Sequence, residues 1–232
     1  MIINDDAYIS KDFFKIFIKN VIKSKPDVVI PLVYRISGGI DSFGAEYFSS
    51  GFARNTSDLK TFTTIAPANC VLYKTNLFQK LKKRFGFIFN PVLGFYFEDV
   101  EISIRAHSIG AKFTKSEKLI AFHIGSLSAV KHSYFRTFYS YRNVVWLIII
   151  NWPLNSVIKY FKNIFLVQSY AFLKSTIYFG PILYMKILWS TIRNIKTLIY
   201  YRKTTQKGYL KDFNFEGLLN RHMYKRKNGR YI

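Results

Sequence analysis

Apolar residues along the first 124 positions recur at two different periods in turn, a pattern that predicts a mixed α/β fold. Phe13, Phe14, Phe17 and Val21 fall at helical spacing and predict an amphipathic helix over residues 10–24. Val28 to Tyr34 is a short apolar run of the kind a buried strand needs, and further strands are expected near 62–66 and 70–74. Thr75 is expected to cap a short helix carrying Leu77, Phe78 and Leu81. That helix ends in Lys82-Lys83-Arg84, where cations meet the negative end of its dipole. The aromatic stretch Phe95-Tyr96-Phe97 leads into a second helix, with Val100 and Ile104 at i, i+4 and Gly110 as its C-cap. Strands near 111–115 and 118–124 complete the unit. Residues 43–55 hold two glycines and two serines with no sustained apolar period, so an irregular loop is expected there. No internal repeat or low-complexity tract is present.

Beyond about residue 130 the character changes. Residues 1–130 hold 17 Lys and Arg against 11 acidic residues, whereas 131–232 hold 18 against 2, so most of the net charge of +22 is C-terminal. There it is interleaved with Trp146, Trp152, Trp189 and aliphatic runs such as 144–150. Lys159, Lys162, Lys174 and Lys186 interrupt these runs too often for the roughly 20 apolar residues of a spanning helix. Two or three aromatic, Lys-studded helices lying on a membrane surface are expected instead, apolar faces inserted and cations toward anionic headgroups. The alternative is that they pack on the α/β body or on a second subunit. The expected division is thus a domain over 1–130 and a helical extension over 131–232.

Such a basic, aromatic chain also admits nucleic acid as a partner. Its cations are scattered among apolar runs and no RNA-binding signature is present, so no nucleic acid is expected. A single cysteine, Cys70, excludes an intramolecular disulfide, and no basic segment with an apolar core follows Met1. The setting expected is cytoplasmic, peripheral on the inner face of the membrane.

The strongest chemical signal is Glu98-Asp99, adjacent carboxylates where the aromatic stretch becomes a helix. Acids at a helix N-terminus face the positive end of the dipole, which suits either an ordinary helix start or a held base. Asn4-Asp5-Asp6 follows the apolar pair Ile2-Ile3, and His123 lies between Phe122 and Ile124 ahead of Gly125-Ser126-Leu127-Ser128. Asp6 has a plainer reading as a cap for the helix expected from Ser10, and His123 as a hydrogen-bonded structural histidine.

The segment Phe95–Phe113 resembles the Glu-Asp region of inverting family 2 glycosyltransferases of the GT-A fold. Three further stretches agree in order. Asn4-Asp5-Asp6 is similar to the strand-end Asn-x-Asp of many members, Ala66-Pro67-Ala68-Asn69-Cys70 to the small-residue strand, and His123-Ile124-Gly125-Ser126-Leu127-Ser128 with Tyr141-Arg142-Asn143 to the His-x-Gly-Ser-x-Ser and its later Arg-Asn pair. The resemblance implies a GT-A-like (Rossmann-like) mixed sheet and transfer of a sugar from a nucleotide-sugar donor to a glycan or lipid-linked acceptor. It makes Asp99 the general base, with Glu98 orienting the acceptor. Asp6 and His123 become ligands of a divalent Mg or Mn ion. Asn4, Asp5, Gly125, Ser126 and Ser128 lie near the diphosphate, and Arg142 is a candidate phosphate contact. Asn69 departs from the small residue expected after Ala68, which changes the shape of the sugar pocket.

In that family the Asn-x-Asp strand follows a nucleotide-binding α/β unit, here absent ahead of Ile2. A truncated or split enzyme is therefore expected, with a separate N-terminal half or second subunit as partner and weak donor binding by this chain alone. A non-catalytic accessory or remnant subunit of a glycan-assembly complex is the alternative from another class. Ser37-Gly38-Gly39-Ile40-Asp41-Ser42 resembles the pyrophosphate loop of ATP pyrophosphatases, but such a loop needs a regular helix directly behind it. The same residues are similar to the family 2 stretch Gly-x-Ile-Asp-x-x-Gly, which introduces a variable loop over the active site.

Overall fold

The computed structural model describes residues 1–124 and 133–224. In chain order the elements begin with β1 (Ile2–Ile3), β2 (Ala7–Ile9), α1 (Phe13–Ile16), β3 (Val28–Arg35), β4 (Ile40–Ser42), β5 (Ala45–Phe48), β6 (Ala53–Asn55) and β7 (Cys70–Tyr73). They continue with α2 (Thr75–Phe85), α3 (Glu98–Ser108), β8 (Phe113–His123), α4 (Tyr134–Asn151), α5 (Leu154–Lys159), α6 (Phe161–Phe179), α7 (Ile182–Arg193), α8 (Ile195–Lys207) and β9 (Leu219–Asn220).

The main sheet is mixed. Its order is β1-β7-β3-β8-β2, with β4 also on β3; β3 and β8 run parallel and the other pairs antiparallel. A flat sheet would place β1 and β2 roughly 19 Å apart across four strand spacings. Yet Ile3 and Ala7 are four residues apart, a reach of at most about 14 Å. The sheet must therefore curl, bringing the Asn4–Asp6 turn across the ends of the strands between. β1 itself is an edge strand, on Cys70 and Val71 of β7.

Apolar spacing accounts for much of this. The run expected to be a buried strand is β3, whose first six residues are all buried. α2 buries Leu77, Leu81 and Phe85 at i, i+4, i+8 and stops at Gly86, whose φ of 87° is left-handed. Its N-cap position falls to Lys74, with Thr75 the first helical residue. α3 ends at Ser108, two residues before the expected Gly110, so the C-cap position falls to Ile109 and Gly110 follows it at φ 74°.

Three expectations are corrected. The loop over 43–55 contains the hairpin β5–β6, because Gly44 and Gly51 act as left-handed turn residues (φ 90° and 85°) on either side of a buried strand. A Cβ on Gly51 would lie 2.6 Å from Ile148 Cδ1, so that turn also admits α4 at close range. The expected strand near 62–66 has only one bridge, Ala45 to Ile65. The helix expected over 10–24 is irregular: α1 passes into a π turn at Phe17–Val21 and a 3₁₀ turn at Ile22–Ser24, closing on Lys25 at φ 48°.

The C-terminal part is not a free appendage. α4 buries Val144, Trp146, Leu147, Ile148 and Ile150 in the cluster that holds Tyr47, Leu93, Val100 and Ile104. β9 returns to pair with β5 in parallel, so residues on both sides of 130 share one core. Among the described residues five α-helices stand where two or three were expected; α4 joins the α/β body, whereas α6 buries only Ala171 and Ser175 and α7 only Leu183 and Ile187. Among the described residues, no helix is long and apolar enough to cross a membrane.

Trp152 ties the two regions: fully buried, it donates from Nε1 to the Tyr47 hydroxyl at 2.7 Å and packs against Phe215. Trp152→Ala should cost about 3–5 kcal/mol. In urea titrations followed by circular dichroism, we expect one transition with a lower midpoint; separate melting of helical and sheet signals in the parent chain would contradict a shared core.

Candidate functional site

The site begins with a register. Ala7 pairs with His123 on β8, and His123 pairs with Arg35 on β3, so three chain segments meet at one level of the curled sheet. Asp6 precedes β2 by one residue and its Oδ1 lies 3.0 Å from His123 Nε2. On the opposite side of the ring, His123 Nδ1 lies 2.9 Å from Asp41 Oδ2. Asp41 reaches there through a β-bulge. Val33 pairs with Ser42 and Tyr34 with Ile40, leaving Asp41 as the extra residue whose side chain is turned out of the ladder. The turn behind it is Gly38-Gly39, at φ 100° and 79°, with strand β4 directly following. No helix stands behind the Ser37–Ser42 segment, so the dipole that a pyrophosphate loop requires is missing there.

Asp41 is heavily committed. Its carboxylate accepts from Arg35 Nε at 2.8 Å and from Asn69 Nδ2 at 3.0 Å as well as meeting His123. Burial pushes its pKa up, but the bonds from Arg35, His123 and Asn69 outweigh that and hold it below the ordinary carboxylate value. Asn69 also donates to Ser42 Oγ at 2.8 Å. The residue that departs from the resemblance is thus a crosslink between β4 and β7. Asp6 caps no helix: the backbone at Phe13 is met by Ser10 O, and the Asp6 carbonyl accepts from Ile124 N.

Asp6 and His123 present two donors of the kind a hard divalent ion takes. A neutral imidazole carries one N–H. With that hydrogen on Nδ1 facing Asp41, the Nε2 lone pair faces the Asp6 carboxylate, and two acceptors 3.0 Å apart repel unless a proton or cation lies between them. That separation also matches one edge of an octahedron with bonds of about 2.1 Å. Among the described residues only these two donors converge, and no group of three or more His, Cys, Asp or Glu is arranged to hold a metal. The remaining positions would fall to water and to oxygens of a bound ligand.

α3 is fixed by a ladder. Asp99, Ser103 and His107, at i, i+4 and i+8, bond to backbone of Ala68, Ala66 and Thr64 at 3.3, 3.1 and 2.8 Å. One turn and a bit of helix, four residues, rises about 6 Å. Two residues of extended chain advance about 6.6 Å, so the two repeats keep step. Side chains of α3 thus add to the single bridge to Ala45 that residues 62–66 make with a strand. Behind this face, Arg105 pairs with Glu101, both fully buried, and donates to the carbonyls of Phe87 and Ile88.

Asp99 is the first rung: Oδ2 accepts from Ala68 N and Oδ1 from Val100 N at 2.8 Å. Burial raises its pKa, against which these N–H donors work. Glu98 is pushed up to about 7, first by burial and then by the charge of Asp99. Its Oε2 is buried with no hydrogen-bond partner. The link to the His123 cluster runs through Ala68-Asn69, one residue binding Asp99 and the next binding Asp41.

Strain sits directly before the pair. Tyr96 and Phe97 are consecutive non-glycine residues at φ 64° and 68°. Asn143 holds them there, its amide nitrogen 2.7 to 3.0 Å from the carbonyls of Leu93, Phe95 and Tyr96. Arg142, expected as a candidate phosphate contact, is instead buried in the same clamp; it donates to Leu93 O at 2.6 Å and stacks over Trp146 and Tyr139. Asn4 and Asp5 are exposed in the β1–β2 turn. Gly125, Ser126 and Ser128 lie outside the described residues. Asp41 and Arg35 were not among the expected site residues, although the Gly-x-Ile-Asp stretch pointed at their segment.

The raised pKa of Glu98 has a sign. Its contribution to stability is complete below the ordinary glutamate value and is lost as pH rises through about 7. Glu98→Gln should therefore leave stability unchanged near pH 4 and add on the order of 2 kcal/mol near pH 8, measured by thermal melts at both values. Equal destabilisation at both pH values would contradict the burial of an unpartnered carboxyl.

No family model matches the chain, and neither a curated protein nor a solved structure matches it, so the reading of the site rests on its own geometry.

Proposed function

We propose that the chain carries the base, metal and acceptor side of a glycosyl transfer from a nucleotide-sugar donor, on a GT-A-like mixed sheet. The observation that supports this most directly is the carboxyl pair at the start of α3, linked to the Asp6–His123–Asp41 cluster by two hydrogen bonds from the adjacent residues Ala68 and Asn69. An acceptor hydroxyl must lose a proton as it attacks, and the leaving diphosphate gains charge as it departs. In the proposed division of labour, Asp99 is the base; burial raises its pKa, and the N–H donors of Ala68 and Val100 work against that rise. Glu98 holds the proton that two adjacent carboxyls share near neutral pH, and orients the acceptor hydroxyl with it. Asp6 and His123 hold the Mg or Mn ion that offsets the charge of the diphosphate, and Asp41 orients the His123 ring from behind.

A structural reading has its own observation: Asp99 is a rung of the α3 ladder and would be needed for folding alone. The two readings part on Asp99→Asn, which keeps a carbonyl oxygen for Ala68 N–H and gives up only the local bond from Val100 N. Under the transfer reading, release of nucleoside diphosphate from a panel of nucleotide sugars with Mn, in the presence of glycan acceptors, should fall by roughly 10²- to 10⁴-fold in that variant while its melting temperature changes little. Turnover equal to that of the parent chain would remove Asp99 from the chemistry.

A further inference from the structure

The outer face of the α6–α7 hairpin is the largest feature that the site leaves unexplained. Their inner faces are tacked to the body by Trp146 Nε1, which donates to Thr191 Oγ1 at 2.9 Å, and to each other by Tyr184 OH, which donates to Gln168 Oε1 at 3.0 Å. Outward, Phe165, Leu173 and Ile177 on α6 and Met185, Trp189 and Ile192 on α7 stand in solvent, with Ile177 at 79% exposure and Trp189 at 65%. Isolated exposed apolar residues are ordinary, but a face of two adjacent helices built from them requires a cover.

The charges say which cover. Residues 134–207, all of α4 to α8, contain eleven Lys and Arg and no Asp or Glu. Lys162, Lys186 and Arg193 are exposed beside the apolar residues, and the Lys186 ammonium lies 5.5 Å from the Tyr134 ring. A second copy of the chain would bring this cationic face against itself with no carboxylate to pair it. An anionic lipid surface supplies both an apolar interior for the side chains and phosphate headgroups for the cations.

We infer that the α6–α7 face docks on an anionic bilayer, lying in the interface without crossing it. The face is also continuous with the edge of the candidate site. Phe179 at the end of α6 packs on Tyr134, its neighbour Phe135 packs on Phe95 at 5.2 Å, and Phe95 and Tyr96 lead into Glu98. Docking on this face therefore turns the aromatic rim of the carboxyl pair toward the lipid, so an acceptor held in the bilayer reaches the pair without leaving it. The attachment itself does not depend on the transfer chemistry.

The test uses the full chain with no donor, acceptor or metal, so its outcome is separate from that of any turnover assay. Co-sedimentation is measured with vesicles of phosphatidylcholine alone and of phosphatidylcholine mixed with phosphatidylglycerol, across a salt series. Binding should favour the mixed vesicles and weaken with salt, falling about fivefold for each of Lys162→Gln, Lys186→Gln and Arg193→Gln. Trp146 and Trp152 are buried, so quenching of fluorescence by brominated lipid should report Trp189 and vanish in Trp189→Phe. Ile177→Glu and Phe135→Glu, both at exposed positions, should each weaken binding with the melting temperature unchanged. Equal binding to neutral and mixed vesicles, no binding, or a lipid-free dimer dispersed by Ile177→Glu would overturn the inference. Parent-like binding by Phe135→Glu would overturn the orientation of the rim.

Discussion

His123 is the pin on which the arrangement depends, because its ring joins two carboxylates that arrive from distant parts of the chain. Asp6 comes from the turn that closes the curl of the sheet, and Asp41 from a bulge beyond a Gly-Gly turn. Neither approach is available to a flat sheet. β2 must cross to the far edge to pair with β8, and β3 and β8 must run parallel for His123 to stand level with Arg35. With both ring nitrogens facing carboxylates, the imidazole is fixed in orientation. Its environment is complete only with a proton or a cation between Nε2 and Asp6.

The second constraint is the match between helix pitch and extended chain along α3. It places Asp99 at a defined height above Ala68, and through Ala68-Asn69 it couples the carboxyl pair to the His123 cluster. Asn143 completes the support by holding Tyr96 and Phe97 in left-handed backbone just before the pair. Buried, unpartnered polar atoms cost stability, so the Glu98 Oε2 stands out against these well-satisfied surroundings. Strain and an orphaned oxygen within three residues of each other are features that folding alone would not favour.

How far the sequence discloses this follows the physics of each signal. Helix α2 is legible because its burial repeats at the helical period, strand β3 because it is one short continuous apolar run, and α3 from Val100 and Ile104 although nearly every one of its residues is buried. The mixed α/β class follows from them. Residues 62–66 look like a strand, but beyond the single bridge from Ile65 to Ala45 of β5 their partners are the side chains of Ser103 and His107, a pairing that no apolar period announces. The β5–β6 hairpin is hidden because Gly44 and Gly51 read as breakers when they are its turns. At the site, Asp6 and His123 are visible as polar residues at the ends of apolar runs. Asp41 is not, since only the bulge turns it toward His123. The buried role of Arg142 is equally invisible, because a cation after Tyr141 gives no sign that Leu93 O will receive it. The C-terminal helices carry one composition throughout, and only packing separates α4, which joins the core, from α6 and α7, which do not.

The proposed function requires Asp6 and His123 to share a cation. The most direct measurement is the NMR spectrum of the chain labelled in its four histidine rings, titrated with Mn at sub-stoichiometric levels. His123 resonances are expected to broaden first, ahead of His107 and His222, and Asp6→Asn to abolish the effect. Broadening spread evenly over the histidines, or unchanged at His123 in Asp6→Asn, would contradict it.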